Sequence, residues 1–384
     1  MQIRGAELEG NAEAWDRLGN VVAANFENAE PARAEAFYRE AVKFDPRSAR
    51  YWMDLAAAYE EQGNIPSARS AYVEAQRQYP ISADVAWRFG NFLMRHGEDA
   101  EGLGQIHRAI GTDPKLAPLA IGLVWSLEPN VPLLLKLLPR ERGLYVEALD
   151  FLAIRHQDDA ALQIWNDIIH LPGAEAPSIS VSVPLMNELI RSSRTADARR
   201  VWDEALELAH WPIAEPVKGS AVWNGGFEEP VANGGLDWHF EAVPGDYITV
   251  DSALPHSGGH SLRVDFTGGM NLDFAGVWQF VPVEPSTKYE FRYFMMTRAI
   301  STESGMRFEI LDPTGYQVDV ETSELTGTNA WTAVSTQFST GENTHFLQIR
   351  LRRFPSRLFD NKLSGTVWVD DVTLTKATTE NPNP

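Results

Sequence analysis

The N-terminal third of the chain repeats a residue pattern every 34 positions. The first copy of the pattern contains Ala34, Tyr38, Ala41 and Pro46. The second copy places Ala68, Tyr72, Ala75 and Pro80 at the same positions, and a looser third copy places Gly102, Ile106, Ala109 and Pro114 there. This period is that of an antiparallel helix pair that buries its apolar face only against neighbouring pairs. The pattern therefore predicts a stack of helix pairs, an α-solenoid.

The best copy of the pattern runs from residue 49 to residue 82 and resembles the tetratricopeptide (TPR) repeat. Its first helix carries Trp52, Leu55, Ala56 and Tyr59 at the family's W-x2-L-G-x2-Y positions. Weaker copies follow after residue 141, and four prolines interrupt residues 117–141, which we interpret as a degenerate repeat. The resemblance covers residues 12–212 and implies about five helix pairs, within a range of four to six.

In TPR proteins, a concave groove is lined by fixed positions of the first helix of each repeat. The resemblance assigns to this groove Asp16, Asn20, Arg50, Met53, Glu60, Trp87, Asn91 and Arg95. It implies a protein partner of unknown identity. Two interpretations stay open for Trp87: packing between repeats, or an aromatic contact for a bound peptide.

From Val222 onward the hydrophobic period changes to two. Apolar residues alternate with polar ones in four segments, whose inward residues are Leu262, Val264 and Phe266; Tyr289, Phe291, Tyr293 and Met295; Met306, Phe308 and Ile310; and Leu347, Ile349 and Leu351. Many short alternating strands predict an antiparallel β-sandwich of the jelly-roll type. The predicted fold class is thus multidomain, an α-solenoid followed by an antiparallel sandwich.

Five phrases in the second half resemble carbohydrate-binding modules of the family 4/9/22 type, which are galactose-binding-like jelly rolls. They are Asn224–Glu228 (N-G-G-F-E), Ser257–Val264 (S-G-G-H-S-L-R-V), Gln279–Pro285 followed by Tyr289, Trp331–Phe338, and Val367–Leu374 with its D-D-V. The phrases keep the family's order over residues 222–376. The resemblance implies the jelly roll and a carbohydrate ligand.

The same resemblance implies a structural calcium ion between the opening segment and the closing strand. The matching side chains are Glu228 and Asp370, together with carbonyl oxygens of the Gly259–His260 turn, because a hard cation takes oxygen ligands. The alternative is that both carboxylates only accept hydrogen bonds from turn N–H groups.

Sugar binding needs an aromatic surface beside polar groups. Trp238, Phe274 and Trp278 are the aromatic candidates, each with a core position as its alternative. Four arginines occupy strand positions that alternate with the inward residues and therefore point outward: Arg292, Arg307, Arg350 and Arg352. They predict a site for an anionic glycan if their strands share a sheet. Two glutamates, Glu290 and Glu309, also point outward on these strands and favour an ordinary ion-paired surface instead.

Composition excludes several function classes. The formal net charge of −20 argues against nucleic acid or an anionic membrane as the main partner. The absence of cysteine excludes disulfides and thiol catalysis. No apolar run is long enough for a transmembrane segment, no signal peptide is visible, and no catalytic motif occurs.

We therefore expect a non-catalytic adaptor in which residues 1–212 contact a protein and residues 222–376 bind carbohydrate. A short stiff linker at 213–221 and a disordered tail at 377–384 complete the predicted organisation. A bacterial envelope or exopolysaccharide role is slightly favoured over a cytoplasmic one. The alternatives are a purely structural interaction scaffold and a non-catalytic part of a carbohydrate-active enzyme system.

Overall fold

The computed structural model describes residues 10–24, 30–172, 176–212, 219–313, 319–359 and 361–377. Most of the predicted linker (213–218) and nearly all of the predicted tail (378–384) lie outside these ranges. Within them the helices are α1 Ala12–Ala23, α2 Pro31–Phe44, α3 Ala49–Glu61, α4 Ile65–Gln78, α5 Ala83–Arg95, α6 Asp99–Thr112, α7 Ala117–Leu127, α8 Val131–Leu137, α9 Arg142–Ile154, α10 Asp158–His170, α11 Val183–Arg191 and α12 Thr195–Leu208. The chain divides into two compact units, Met1–Phe151 and Leu152–Pro384.

The helices pair as the 34-residue period predicts. The first three repeated positions of each copy lie in α2, α4 and α6 and are buried, whereas the repeated prolines follow these helices and are exposed. Successive pairs pack through aromatic rings: Tyr72 of α4 lies 5.5 Å from Phe89 and 5.0 Å from Phe92 of α5, measured between ring centroids. In the first unit α1 to α8 form four consecutive pairs, because residues 117–137, which we predicted to be a degenerate repeat, still form α7 and the seven-residue α8. In the second unit α11 pairs with α12.

Small residues let the helices of one pair approach closely. A Cβ atom at Gly90 would lie 2.7 Å from the Ile106 side chain and 2.9 Å from the Gly102 carbonyl oxygen. Any larger residue at Gly90 would therefore separate α5 from α6. This contact explains why residue 90 is glycine, whereas the equivalent residue of the preceding repeat, Ala56, is alanine.

The second compact unit contains α10 to α12 and a sandwich of two five-stranded antiparallel sheets. The strands are β1 His239–Phe240, β2 Asp246–Asp251, β3 Ser261–Thr267, β4 Phe274–Pro282, β5 Lys288–Ile300, β6 Arg307–Leu311, β7 Asp319–Glu321, β8 Gly327–Ser339, β9 Phe346–Arg353 and β10 Ser364–Lys376. Sheet B has the order β1-β4-β9-β6-β7, and sheet A has the order β2-β3-β10-β5-β8. The predicted fold class, a helical repeat region followed by a β-sandwich, is confirmed.

The sandwich core follows the predicted alternation. Every residue predicted to point inward is buried and belongs to one apolar cluster between the sheets. The sequence did not predict β1, β2 and β7, which are short or lack a clear apolar face.

The last helices pack directly on the sandwich within the second unit. The ring of Trp202 in α12 meets the ring of Trp223 edge to face at 6.3 Å. Gly235 lies against the same indole, because a Cβ atom there would be 2.2 Å from Trp202 Cζ3. A Cβ atom at Gly234 would likewise lie 2.8 Å from Val183 Cγ2 of α11, so the sandwich packs against both α11 and α12. Among the described residues, no helix is long and apolar enough to cross a membrane.

Candidate functional site

The outer face of sheet B carries a row of side chains from all five of its strands. The strand register places His239 beside Trp278, Trp278 beside Arg350, Arg350 beside Glu309, and Glu309 beside Glu321. Each of these residues alternates with core residues of its own strand, so the row points away from the sandwich interior. We call this surface the Trp278 face.

The aromatic part of the Trp278 face is formed by three rings. His239 stacks on Trp278 with 3.6 Å between centroids and 11° between planes, and Phe280 meets the same indole at 5.0 Å. Burial lowers the pKa of His239, so its ring is neutral at pH 7. Trp278 and Phe280 keep part of their surface exposed. An apolar, uncharged ring surface of this kind can accept the C–H face of a sugar.

Beside the rings, two arginines of β9 are held by carboxylates. Arg350 pairs with Glu309, which is only 6% exposed, and Arg352 Nε lies 3.6 Å from the same carboxylate. Arg352 also pairs with Asp273 and donates a hydrogen bond of 3.0 Å to the Phe274 carbonyl oxygen. Both guanidinium groups are therefore fixed in place and electrically compensated.

The third arginine of the face, Arg307 on β6, is compensated in the same way. It pairs with Glu321 at 2.7 Å and with Glu324. The Phe354 ring lies beside both Arg307 and Arg352, 5.4 Å and 4.2 Å from their guanidinium carbons. Three arginines thus face four carboxylates, Glu309, Glu321, Glu324 and Asp273, so the face carries no positive excess for an anionic glycan.

Three of the sequence candidates do not belong to this face. Arg292 lies on β5 of sheet A, so it cannot form one row with the arginines of sheet B. Trp238 and Phe274 are fully buried, and Trp238 Nε1 donates to the Asn224 carbonyl oxygen at 3.0 Å. Neither ring can act as a sugar platform, because both are part of the core.

A buried arginine fixes the loop that leaves the Trp278 face. Arg353 ends β9, is fully buried, and donates to the carbonyl oxygens of Leu272 at 2.5 Å and Asn361 at 3.3 Å. It also donates to Asn271 Oδ1 at 2.8 Å and to Thr302 Oγ1 at 3.1 Å. Arg353 therefore ties the β9–β10 loop to the β3–β4 loop.

The two carboxylates expected at a calcium site both cap the turn at residues 256–260. Glu228 Oε1 accepts the N–H groups of Gly259 at 2.8 Å and His260 at 3.2 Å. Asp370 Oδ2 accepts the N–H groups of His256 at 2.8 Å and Ser257 at 3.1 Å. The turn thus donates N–H groups to both carboxylates, which agrees with the alternative in which Glu228 and Asp370 only accept hydrogen bonds from the turn.

Of the two carboxylates, Glu228 lies in the opening segment and Asp370 lies in the middle of β10. Asp370 is fully buried, and burial raises its pKa to about 6, with the neighbouring charge of Asp371 as a smaller cause. Gly226 lies between the two residues, since a Cβ atom there would be 3.8 Å from Asp370 Oδ1 and 3.7 Å from Glu228 Cγ. Within the described part of the chain, no group of three or more His, Cys, Asp or Glu side chains could hold a metal ion, so a cation here would also need backbone carbonyl oxygens as ligands.

In the first unit, two of the predicted groove residues, Asp16 and Arg50, belong to an ion-paired ladder that runs from α1 to α5. Buried Asp16 pairs with Arg50, and Arg50 Nε lies 4.0 Å from Asp54. Asp54 lies 3.7 Å from Arg88, and Arg88 pairs with Asp84 at 3.0 Å. Guanidinium groups and carboxylates therefore alternate from α1 to α5.

Asp54 was not among the sequence candidates, yet it is the most perturbed carboxyl of the ladder. Burial, followed by a hydrogen bond with Asp16 and the charge of Asp16, raises the pKa of Asp54 to about 7. Oδ1 of Asp16 has no other hydrogen-bond partner among the described residues. An Asp54 carboxyl that keeps its proton up to about pH 7 can donate to Asp16, so this hydrogen bond is lost as Asp54 ionises.

The other predicted groove residues divide into buried, paired and accessible ones. Met53 is 5% exposed and packs in the repeat core, so it does not line an open groove. Arg95 holds Glu60 with two hydrogen bonds of 3.0 and 2.9 Å. Trp87 is half-buried, and its carbonyl oxygen accepts Asn91 Nδ2 at 2.8 Å. The sixth residue, Asn20, donates to Asp16 at 3.1 Å and accepts the Tyr38 hydroxyl at 3.0 Å.

A cavity of about 550 Å³ lies between the start of α12 and one edge of the sandwich. Its lining includes Arg199, Tyr289, His345 and Lys376, the last paired with Glu284 at 2.5 Å. The lining mixes both charges with apolar residues and contains no arrangement that indicates one ligand class.

The sequence missed four members of the Trp278 face: His239, Phe280, Glu321 and Gln348, the last of which lies beside Phe280 in the strand register. Phe280 and Gln348 alternate with core residues in the same way as Trp278 and Arg350, so the alternation already contained the signal. His239 and Glu321 could not be found in this way, because β1 has only two residues and β7 only three.

No protein-family model matches the chain, and no curated protein matches it. Among solved structures, the N-terminal region is similar to YrrB, a TPR protein with an unusual peptide-binding site, at 16% identity over 53% of this chain and 89% of that chain, with a TM-score of 0.27. The C-terminal region is similar to the C-terminal family 22 carbohydrate-binding module of Clostridium thermocellum Xyn10B, at 18% identity over 43% of this chain and 98% of that chain, with a TM-score of 0.30. It is also similar to a CBM4 structure, at 15% identity over 41% of this chain and 99% of that chain, with a TM-score of 0.31. At scores of this size, the assignment of both regions rests on the helix pairing and strand order described above.

Proposed function

We propose that the protein is a non-catalytic adaptor whose helical repeats bind another protein and whose Trp278 face binds a neutral carbohydrate. The supporting observation is the row from His239 through Trp278 and Arg350 to Glu309. It places an uncharged aromatic surface next to polar groups that are already oriented. A sugar ring needs both features at once, an apolar surface for its C–H face and fixed partners for its hydroxyls.

The charge of the face favours a neutral glycan over an acidic one. An acidic sugar would have to displace Glu309 or Asp273 from an arginine to gain a guanidinium partner. A sugar hydroxyl can instead form hydrogen bonds with these residues while their ion pairs stay intact. A paired guanidinium still has free N–H donors, and a paired carboxylate still has free lone pairs.

The test is a glycan array probed with the full chain and with the variant Trp278→Ala. The full chain is required, because the contact between Trp202 and Trp223 joins the sandwich to α12. We expect binding to neutral glycans that Trp278→Ala abolishes. A matched control is Trp331→Ala, an equally half-buried tryptophan on sheet A, which should bind as the parent does.

Two results would contradict the proposal. One is a parent protein that binds acidic glycans in preference to neutral ones. The other is binding that survives Trp278→Ala and disappears in Trp331→Ala, which would move the site to sheet A.

A second function is favoured by the packing of the sandwich on α12. In this alternative the sandwich only covers the apolar side of the last helices, and the protein is an interaction scaffold without a sugar ligand. A parent protein that binds no glycan on the array, yet loses folding cooperativity when Trp202 is replaced, would support this alternative. Membership in a carbohydrate-active enzyme system, without catalysis by this chain, agrees with either function.

We also propose a calcium ion at Glu228 and Asp370. It would link the segment before β1 to β10 and stabilise the β-sandwich without entering any reaction. A bacterial envelope or exopolysaccharide setting suits a protein that joins a glycan to a protein partner, and we propose it as the context.

A further inference from the structure

The exposed large apolar side chains of the sandwich all lie at one end of it. Among its described residues they are Val243, Tyr247, Met270, Leu358 and Phe359, with exposures of 40%, 63%, 42%, 59% and 104%. Phe359 is thus completely open to solvent, and Leu358 precedes it directly. We call these five residues the apolar end.

Backbone hydrogen bonds join the segments that carry the apolar end. Thr267 N–H donates to the Gly245 carbonyl oxygen at 3.0 Å, which joins the β1–β2 loop to the end of β3. Leu363 N–H donates to the Met270 carbonyl oxygen at 2.9 Å, and Gly268 N–H donates to the Leu363 carbonyl oxygen at 2.9 Å. The three loops therefore form one connected edge of the sandwich.

The β9–β10 loop is also braced from within. Asn271 Oδ1 accepts Ser356 N–H at 2.9 Å, and Asn271 Nδ2 donates to the Ser356 carbonyl oxygen at 2.9 Å. Leu358 N–H donates to Ser356 Oγ at 3.1 Å. With Arg353 buried beneath the loop, Leu358 and Phe359 are presented on a fixed backbone. Exposing two large apolar side chains in this way is costly in water and favours contact with an apolar medium.

We propose that the apolar end inserts into the interfacial region of a phospholipid bilayer. Its side chains project from the β1–β2 loop, the start of β2, the β3–β4 loop and the β9–β10 loop, so a soft medium can receive all of them together. Arg357 and Lys362 flank Leu358 and Phe359, are exposed, and make no ion pair with a described carboxylate. Their long side chains can reach lipid phosphates while the apolar residues lie deeper.

The overall charge of the protein sets the expected salt dependence. A net charge of −20 repels an anionic membrane at long range, whereas Arg357 and Lys362 attract its phosphates only on contact. Binding to vesicles that contain anionic lipid should therefore become stronger between 0.02 M and 0.15 M salt, since the repulsion is screened first. A surface bound mainly by basic residues would show the opposite trend.

The test is co-sedimentation of the full chain with vesicles of phosphatidylcholine and phosphatidylglycerol at a ratio of 3:1. We expect Phe359→Ser to lower the partition coefficient by roughly tenfold or more, as removal of one buried aromatic side chain requires. Arg357→Gln should lower it about fivefold on these vesicles and leave it unchanged on phosphatidylcholine alone. Ile81→Ser, which removes a 72% exposed side chain of the first unit, is the matched control and should have no effect.

The proposal is overturned if the parent protein does not sediment with either kind of vesicle, or if Phe359→Ser partitions as the parent does. It is also overturned if sedimentation velocity shows a self-associating parent and a monomeric Phe359→Ser variant, since a second copy of the chain would then cover the apolar end. These outcomes do not depend on the glycan array, so the two proposals can fail separately.

Discussion

Replacing Asp54 by asparagine should stabilise the helical repeats above neutral pH. Asp54 lies beside the fully buried Asp16, and the pKa of Asp54 is raised to about 7, largely by burial. An asparagine amide can donate to Asp16 at any pH and never carries a negative charge. The substitution therefore keeps the hydrogen bond and removes the repulsion that develops when Asp54 ionises.

The sign of the pH dependence follows from the raised pKa. Below about pH 4 both the folded and the unfolded chain hold the Asp54 proton, so this group does not alter stability. Between about pH 4 and pH 7 only the folded chain holds it, and stability falls as the pH rises. Above the folded pKa of about 7 the loss is complete.

The full difference between a pKa of about 7 and the ordinary value of 3.8 corresponds to about 4 kcal/mol of unfolding free energy. Because the Asp54 side chain keeps 17% of its surface exposed to solvent, which screens part of this effect, we expect about 2–4 kcal/mol. At about 3 °C per kcal/mol, Asp54→Asn should raise the melting temperature at pH 8 by roughly 6–12 °C.

The assay is thermal unfolding followed by circular dichroism at 222 nm, at pH 5 and pH 8. At pH 5 the parent has lost only the first part of this stability, so the advantage of the variant should shrink to about a third of its value at pH 8. Asp84→Asn is the matched control, because it removes an exposed carboxylate from the same ladder and should change stability by no more than about 0.5 kcal/mol. An Asp54→Asn variant that is destabilised at pH 8, or shifted equally at both pH values, would refute the raised pKa of Asp54.

Three further predictions concern the second unit. Gly235→Ala should lower its melting temperature by the equivalent of about 2–4 kcal/mol, because the new Cβ atom would overlap Trp202 and the residue has a φ of +60°; calorimetry of the full chain measures this. Calcium at 100 times its Kd should stabilise the sandwich by about 2.7 kcal/mol, and Glu228→Ala should remove that response; a melting temperature indifferent to both calcium and chelator would exclude the ion. Affinity for a neutral glycan, measured by calorimetric titration, should change less than twofold between 0.05 M and 0.5 M salt, whereas a steep decrease would show that Arg350 and its neighbours act as free cations.

The helical and strand patterns of this sequence predicted most of the fold, because each has one dominant period. The 34-residue repeat located buried Ala34, Tyr38 and Ala41, and period-two alternation located the core of β3, β5, β6 and β9. Short strands such as β1 and β7 contain too few residues to show a period.

The candidate site was harder to predict. Alternation along a strand indicates whether a side chain points inward or outward, but it does not indicate which sheet the strand belongs to. Arg292 and Arg350 both point outward, yet their strands belong to opposite sheets. Alternation also cannot distinguish an exposed aromatic residue near a loop from an aromatic residue of the core, and Trp238 and Phe274 are buried. The compensation of the arginines by Glu309 and Asp273 depends on register across β4, β6 and β9, which one sequence does not reveal.

Hydroxyl-radical footprinting of the full chain, with and without a neutral glycan selected on the array, tests the central proposal most directly. If the glycan binds the Trp278 face, oxidation of Trp278 and Phe280 should fall strongly on binding, while oxidation of half-buried Trp331 on sheet A stays unchanged. Protection of Trp331 with unchanged Trp278 would contradict the account, as would a bound glycan that protects neither residue.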